Sequence, residues 1–278
     1  MTERAPIALG DVEETMLIPL YARAVETRRE RGLMSDPLSE EMVDTIDYDF
    51  SRFDQPTTLY GCVLRTAVFD RWVREFLAGH PSGTVVEVGA GLNTRFERVD
   101  NGSVHWVDLD LPDVIDLRRR FFDESDRRRI VAASVLDPAW VATVRQCPPP
   151  YFFAVEAVLV YLTEMDVHRT LGLIADSFPG SRIALDTGSH LMVGRQDRHP
   201  TMKFMAAKMR WACDDPKDIE NWGLGLRLLA SSTYTELPRE QLRRLPLIYR
   251  ATLRAMRAFP PTAGMYRLNL FEVAPPAA

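Results

Sequence analysis

Residues 84–113, TVVEVGAGLNTRFERVDNGSVHWVDLDLPD, constrain the fold more than any other stretch. Thr84, Val85, Val86 and Val88 have the β-branched character of a buried strand, and the run stops at the loop Gly89-Ala90-Gly91. A second strand-like run, Val104 to Leu109, finishes among the acids Asp108 and Asp110. Strand, glycine loop and acid at the end of the next strand describe a nucleoside site in an open parallel α/β sheet. Glycine lets backbone approach a ligand closely, and a carboxylate can accept hydrogen bonds from both hydroxyls of a ribose.

The loop also discriminates between nucleosides. A dinucleotide fingerprint places a third glycine three residues after the second, where pyrophosphate meets the helix. Here that position is Thr94. Glu87 stands just before the loop, where a pyrophosphate would be repelled and a cationic amino group welcomed. The methionine part of S-adenosylmethionine carries an ammonium and a sulfonium, so the stretch reads better as a methyl-donor site than as a nicotinamide site.

The remainder of the chain sets bounds. With 278 residues it accommodates one large α/β domain with additions. A net charge of −5 gives no general reason to expect nucleic acid as a partner. Cys62, Cys147 and Cys213 lack metal-ligand spacing and are odd in number, which points to reduced thiols and a cytoplasmic location. The start MTERAPIALGDVEET is too polar for a secretory signal, and no apolar run is long enough for a membrane span.

Helices are expected over 19–31, 37–47 and 57–79, the last from Leu59, Val63, Ala67, Trp72 and Phe76 at helical spacing. Strands then alternate with helices: strands 84–88, 104–109, 129–134, 151–155 and 181–185, and helices opening at Pro112, Pro138 and Thr163. The alternation predicts a doubly wound parallel sheet. Residues 187–222 break the rhythm and read as a helical cap carrying methionines, His190, Arg195 and His199. A strand near 225–230, a helix from Pro238 to about Phe259 kinked at Pro246, and a strand from Met265 to Val273 complete the chain. The expected division is an N-terminal helical segment, 1–83, over the active site, and an α/β domain, 84–278, with the cap inserted at 187–222.

The runs VVEVGAGLNTRFERV, VDLDLPDVIDLRRRFF and AVEAVLVYLTEMDV resemble the leucine carboxyl methyltransferase superfamily, in its bacterial polyketide O-methyltransferase branch. LIPLYARAVETRRERGLMSDP and DIENWGLGLRLLASS strengthen the likeness, which covers roughly residues 14–273. It implies a class I, Rossmann-like methyltransferase fold with the last strand antiparallel. It also implies S-adenosyl-L-methionine as cofactor and O-methyl transfer to a small-molecule acceptor. By the resemblance, Gly89, Ala90 and Gly91 line the methionine part and Asp110 holds the ribose, with Asp108 as rival. Asp137 meets the adenine amino group beside the Leu136 backbone, unless it only caps the helix at Pro138. Glu87 and Glu156 lie near the ammonium and sulfonium, and Arg65 faces the donor's carboxylate. Tyr161, Tyr21 and Arg23 are weaker candidates. One departure is Asn93, where the family usually has Asp.

A general base is not evident. His190 and His199 are the nearby candidates, and Arg195 or Arg198 could orient an acidic acceptor. A carboxylate acceptor is already an anion at neutral pH and requires no base, whereas a phenol does. The rivals are an NAD-dependent oxidoreductase, opposed by Thr94 and Glu87, and a donor-binding protein without turnover. S-adenosylmethionine or S-adenosylhomocysteine is expected to raise the melting temperature while NAD leaves it unchanged. A thermal-shift titration giving the opposite pattern would remove the methyl-donor reading.

Overall fold

The computed structural model describes residues 5–6, 10, 13–199, 201–236 and 238–275. Most of the N-terminal stretch read above for a signal lies outside the described residues. Three helices come first: α1 (Leu17–Thr27), α2 (Pro37–Thr45) and α3 (Pro56–Gly79). Pro37 and Pro56 open their helices, where the missing N–H costs nothing. Asp36 caps α2 by accepting the Ser39 N–H.

Seven strands follow: β1 (Thr84–Val88), β2 (His105–Asp110), β3 (Arg128–Ala132), β4 (Tyr151–Val155), β5 (Arg182–Gly188), β6 (Leu226–Ser232) and β7 (Tyr266–Val273). They form one sheet in the order β3-β2-β1-β4-β5-β7-β6. β7 runs antiparallel to both neighbours, and the other pairings are parallel. This is the expected class I methyltransferase topology. The chain reverses its direction of travel between β1 and β4, and at such a switch point the strand ends open a crevice.

Both faces of the sheet are covered, which is why its central strands read as nearly continuous apolar runs. Val86, Val88, Val107, Phe153, Val155 and Ile183 pack with Trp140 and with Leu171, Ile174 and Phe178. Trp140 lies on the helix Ala139–Val144, and Leu171 and Ile174 lie on the helix Glu164–Ser177. Val85, Trp106, Phe152 and Ala184 face the other way, onto Leu64, Phe69, Trp72 and Phe76 of α3. The period-two alternation therefore turns Glu87, in phase with Val85, toward the α3 side. Thr163 caps the helix Glu164–Ser177 through the Asp166 N–H, as its capping pattern predicts. A third cluster joins α1 and α2 to Leu92, Ile115, Ile130 and Met205, laying the N-terminal helices over the loop ends.

The cap differs from expectation. Between Ser189 and Trp222 the only α-helix among the described residues is His190–Val193, with short 3-10 turns at Gln196–Arg198, Met202–Phe204 and Pro216–Trp222. Met205, Ala207, Met209 and Trp211 are buried while Ala206, Lys208 and Arg210 are exposed. That period of two belongs to extended chain, and it overrides the helical reading. The helix expected over 238–259 is two helices, Arg239–Arg244 and Leu247–Arg257, broken at Pro246. Among the described residues no helix is long and apolar enough to cross a membrane.

Candidate active site

The glycine loop turns directly off β1. Gly89 and Gly91 both have positive φ, +66° and +47°. A Cβ on Gly89 would stand 2.2 Å from Val158 Cγ2, and one on Gly91 would stand 3.1 Å from Met16 Cβ. These positions demand glycine for shape as well as conformation. Asp110 closes the loop from the end of β2: its Oδ2 accepts the Gly91 N–H at 2.7 Å and its Oδ1 the Leu111 N–H at 2.7 Å. Asp110 lines the main cavity. Asp108 does not. It is fully buried and accepts Arg118 Nη2 at 2.9 Å, Arg128 Nε at 2.8 Å and the Trp106 indole N–H at 3.0 Å. Arg118 in turn donates to the carbonyls of Gly91 at 2.8 Å and Asn93 at 3.0 Å. Asp108 thus holds the clamp that holds the loop.

Thr94, at the missing third glycine, is buried and donates its hydroxyl to Asp36. Arg23 adds a bond from Nε to Asp36 at 2.8 Å and another from Nη2 to the Leu92 carbonyl at 2.7 Å. The position that would face a pyrophosphate in a dinucleotide enzyme is used here to fasten α1 and α2 to the loop.

A buried ion network lies beneath. Arg95 is 1 % exposed, and its three nitrogens serve three acids: Nε donates to Asp70 at 2.8 Å, Nη1 to Glu87 and Nη2 to Glu156. Glu87 also accepts the Asn93 amide N–H at 2.9 Å. Both contacts fall on Oε1. Glu87 Oε2 is buried without a hydrogen-bond partner among the described residues. Burial pushes the Glu87 carboxyl above its usual range, against the pull of Arg95. A cation would satisfy that oxygen, so the ammonium of S-adenosylmethionine fits the residues present. Glu156 behaves oppositely. Burial would raise it, but Arg65 and Arg95 outweigh burial and hold it down at about 2. Arg65 Nε donates to Glu156 Oε1 at 2.7 Å, and Nη1 donates to the Tyr266 hydroxyl at 3.1 Å.

The cavity has a volume of about 360 Å³ and is lined by Arg65, Glu87, Gly89, Ala90, Gly91, Asp110 and Glu156. Arg23 and Tyr161 also line it, and burial pushes the Tyr161 phenol up to about 12. Tyr21 does not, and stacks on Phe50. At the β3 end the lining residues are Ala133, Ser134 and Val135; Leu136 and Asp137 are not among them. Asp137 is exposed and accepts the Ala139 N–H at 2.9 Å, the cap foreseen as its alternative role. From the cap, Met192, His199, Met202 and Met209 reach the wall. His190 does not: its side chain is exposed and bound to Asp214 at 2.8 Å. Arg195 is likewise exposed and off the wall.

His199 carries a chemical restriction. Its Nδ1 accepts the N–H groups of Thr201 at 3.3 Å and Met202 at 3.2 Å. Burial lowers its pKa, so the ring is neutral with its proton on Nε2. Such a histidine donates a hydrogen bond from Nε2; it does not take a proton there. Sequence reasoning missed Asp36, Tyr234, Tyr266 and Asp186 as neighbours of the site. Asp186 alone carried a sign, an acid at the end of a parallel strand.

This fold and this site define a methyltransferase that uses S-adenosylmethionine. The leucine carboxyl methyltransferase model matches residues 16–175, and the chain belongs to that family. It is 34 % identical over 223 residues to the tetracenomycin polyketide synthesis O-methyltransferase TcmP of Streptomyces glaucescens, covering 80 % of this chain and 82 % of that one. It is 27 % identical to the S-adenosyl-L-methionine-dependent methyltransferase dpfgK of Gibberella zeae, over 81 % and 83 % of the two chains. Among solved structures, a DUF574-family protein from Streptomyces avermitilis superposes with a TM-score of 0.59 at 16 % identity, covering 94 % of this chain and 97 % of that one.

Two neighbouring acids should separate in experiment. Asp108→Ala leaves the buried Arg118 guanidinium without an acidic partner and Arg128 with Glu97 alone, and it is expected to cost about 3–5 kcal/mol of stability. Asp110→Ala is expected to cost about 1.5–3 kcal/mol of donor affinity, with a much smaller loss of stability. Denaturant melts paired with calorimetry of S-adenosylhomocysteine binding check both, and a reversed pattern would exchange the two roles.

Proposed function

We propose that the protein transfers the methyl group of S-adenosylmethionine to an oxygen of a small, flat, polyketide-like acceptor, with a carboxylate as the receiving group. The observation that carries this reading is the cavity wall. An unpartnered buried carboxylate oxygen on Glu87 suits the donor's ammonium at one end, and adaptable methionines line the other. TcmP, acting in polyketide synthesis, supports the acceptor class by likeness.

When bound, the donor supplies an electrophilic methyl on sulfonium. The remaining work falls to this chain. Glu87 Oε2 would take the ammonium and Arg65 the donor's carboxylate through its guanidinium fork. Asp110, which accepts the Gly91 and Leu111 N–H groups, would accept the ribose hydroxyls. The adenine would lie along Ser134 and Val135. The N-terminal segment, 1–83, and the insertion, 187–222, would cover the acceptor and exclude water, holding its oxygen in line at about 3 Å.

The state of His199 supports a carboxylate. A neutral Nε2–H can orient an anionic oxygen, and none of the proton acceptance a phenol requires is available from it. The cytoplasm is the compartment that suits such an enzyme and its free cysteines.

Incubation with methyl-labelled donor and panels of aromatic carboxylates and phenols tests the reaction. Base-labile label on a carboxylate is the expected product; stable label confined to phenols would overturn the carboxylate reading. With a working acceptor, Met202→Ala is expected to lower kcat/KM for acceptor and leave donor affinity nearly unchanged. Arg195→Ala should change neither, because its side chain lies off the wall. Loss of donor binding in Met202→Ala would move the acceptor pocket elsewhere.

A further inference from the structure

We infer that Asp186, which does not itself line the cavity, is a positioning residue for the methyl donor. Its ionised carboxylate holds Tyr266 and the turn at Ala157, and through them the Arg65 fork and Glu156. The inference rests on the reading of Arg65 and Glu156 as residues that receive the donor's amino-acid end.

Asp186 sits fully buried near the end of β5. Each of its oxygens fixes one piece of the cavity wall. Oδ1 accepts the Ala157 N–H at 2.7 Å, and Oδ2 accepts the Tyr266 hydroxyl proton. Ala157 has φ of +56° and is the one non-glycine residue with positive φ among those described. A side chain in that region is strained and persists only when its surroundings hold it. Here the holder is Asp186, and the residue held is joined directly to Glu156.

The second arm is directional. Because Tyr266 gives its proton to Asp186, its oxygen turns lone pairs outward and accepts Arg65 Nη1 at 3.1 Å. Arg65 Nε is committed to Glu156. The guanidinium is thus held at two points, and its plane is set relative to the cavity. Tyr234 stacks on Tyr266 with ring centroids 5.7 Å apart and fixes the phenol from the other side. If Asp186 takes up a proton, its own O–H donates to Tyr266, and the phenol proton must turn toward Arg65 or the cavity. Either outcome loosens the fork.

The groups facing Asp186 are Arg65 and Cys62 from α3, Glu156 after β4, and Tyr161, Tyr234 and Tyr266. Burial places Asp186 at about 6, with Glu156 pushing it the same way and Arg65 opposing. Glu156 is held at about 2, Tyr161 at about 12, Tyr234 lies well above its ordinary value, and burial raises Cys62. Asp186 is therefore the member of this cluster that changes charge between pH 5 and 7.5. Glu87, whose carboxyl burial also raises, and His199 lie on the same wall, so the test must separate Asp186 from both.

The experiment is calorimetric titration with S-adenosylhomocysteine between pH 5 and 7.5, which needs no acceptor. Donor affinity is present when Asp186 is ionised and is lost as pH falls through its pKa. If only the ionised form binds well, Kd rises about tenfold from pH 7 to pH 5. Asp186→Asn keeps an acceptor for Ala157 and places a donor against Tyr266, the pattern of the protonated acid. It should bind at pH 7 about as weakly as wild type does at pH 5, with most of the wild-type slope gone, although Glu87 and His199 are intact. Tyr266→Phe removes the link to Arg65 and should likewise weaken binding and flatten the slope. It serves where the buried substitution prevents folding. A flat wild-type profile, or a wild-type slope in either variant, would overturn the inference. Absence of binding by wild type at every pH would instead overturn the donor reading beneath it.

Discussion

The site depends on one guanidinium. Arg95 lies under the glycine loop and bonds Asp70 of α3, Glu87 of β1 and Glu156 after β4, so it joins the covering helix to both strands of the switch point. Burying charge is costly unless each ion is paired and hydrogen-bonded. The network meets that condition as a set. Arg23, Arg65, Arg95 and Arg98 face Asp36, Asp70, Glu87 and Glu156, four cations against four anions. Asp186 is a further acid reached by Arg65 only through a tyrosine, and its raised pKa follows from that position. The charges that make the cavity suitable for a zwitterionic amino acid are thus the same charges that hold the helices to the sheet.

Local pattern and non-local pairing divided the information in the sequence. The strands were legible because a sheet buried on both faces selects apolar β-branched runs, and Tyr151–Val155 falls where the run predicts. Helix starts at Pro112 and Thr163 were legible from capping chemistry. Asp108 and Asp110 could not be separated locally, since two residues on a strand share a face. What separates them is Arg118 and Arg128, ten and twenty residues further on. His190 and His199 present the same difficulty. Each is a histidine in an irregular segment, and only the fold shows that one turns to Asp214 in solvent and the other to the cavity. Asp36 and Tyr266 were invisible because their partners lie far along the chain.

The departure at Asn93 acquires a meaning from the network. Its Nδ2 donates to Glu87 Oε1, while its Oδ1 accepts Arg98 Nη2 at 3.3 Å. An aspartate could keep the second bond but would set a carboxylate against Glu87, where the amide provides a donor. Asparagine therefore gives Glu87 Oε1 two donors, Asn93 and Arg95, and confines the unmet demand to Oε2. A cationic ligand then finds one oriented oxygen in place of a rotating carboxylate, and orientation fixed before binding lowers the entropy lost on binding. The substitution removes a charge from the loop without removing the hydrogen bonds that organise it. For that reason it is compatible with a working donor site rather than a sign of a lost one.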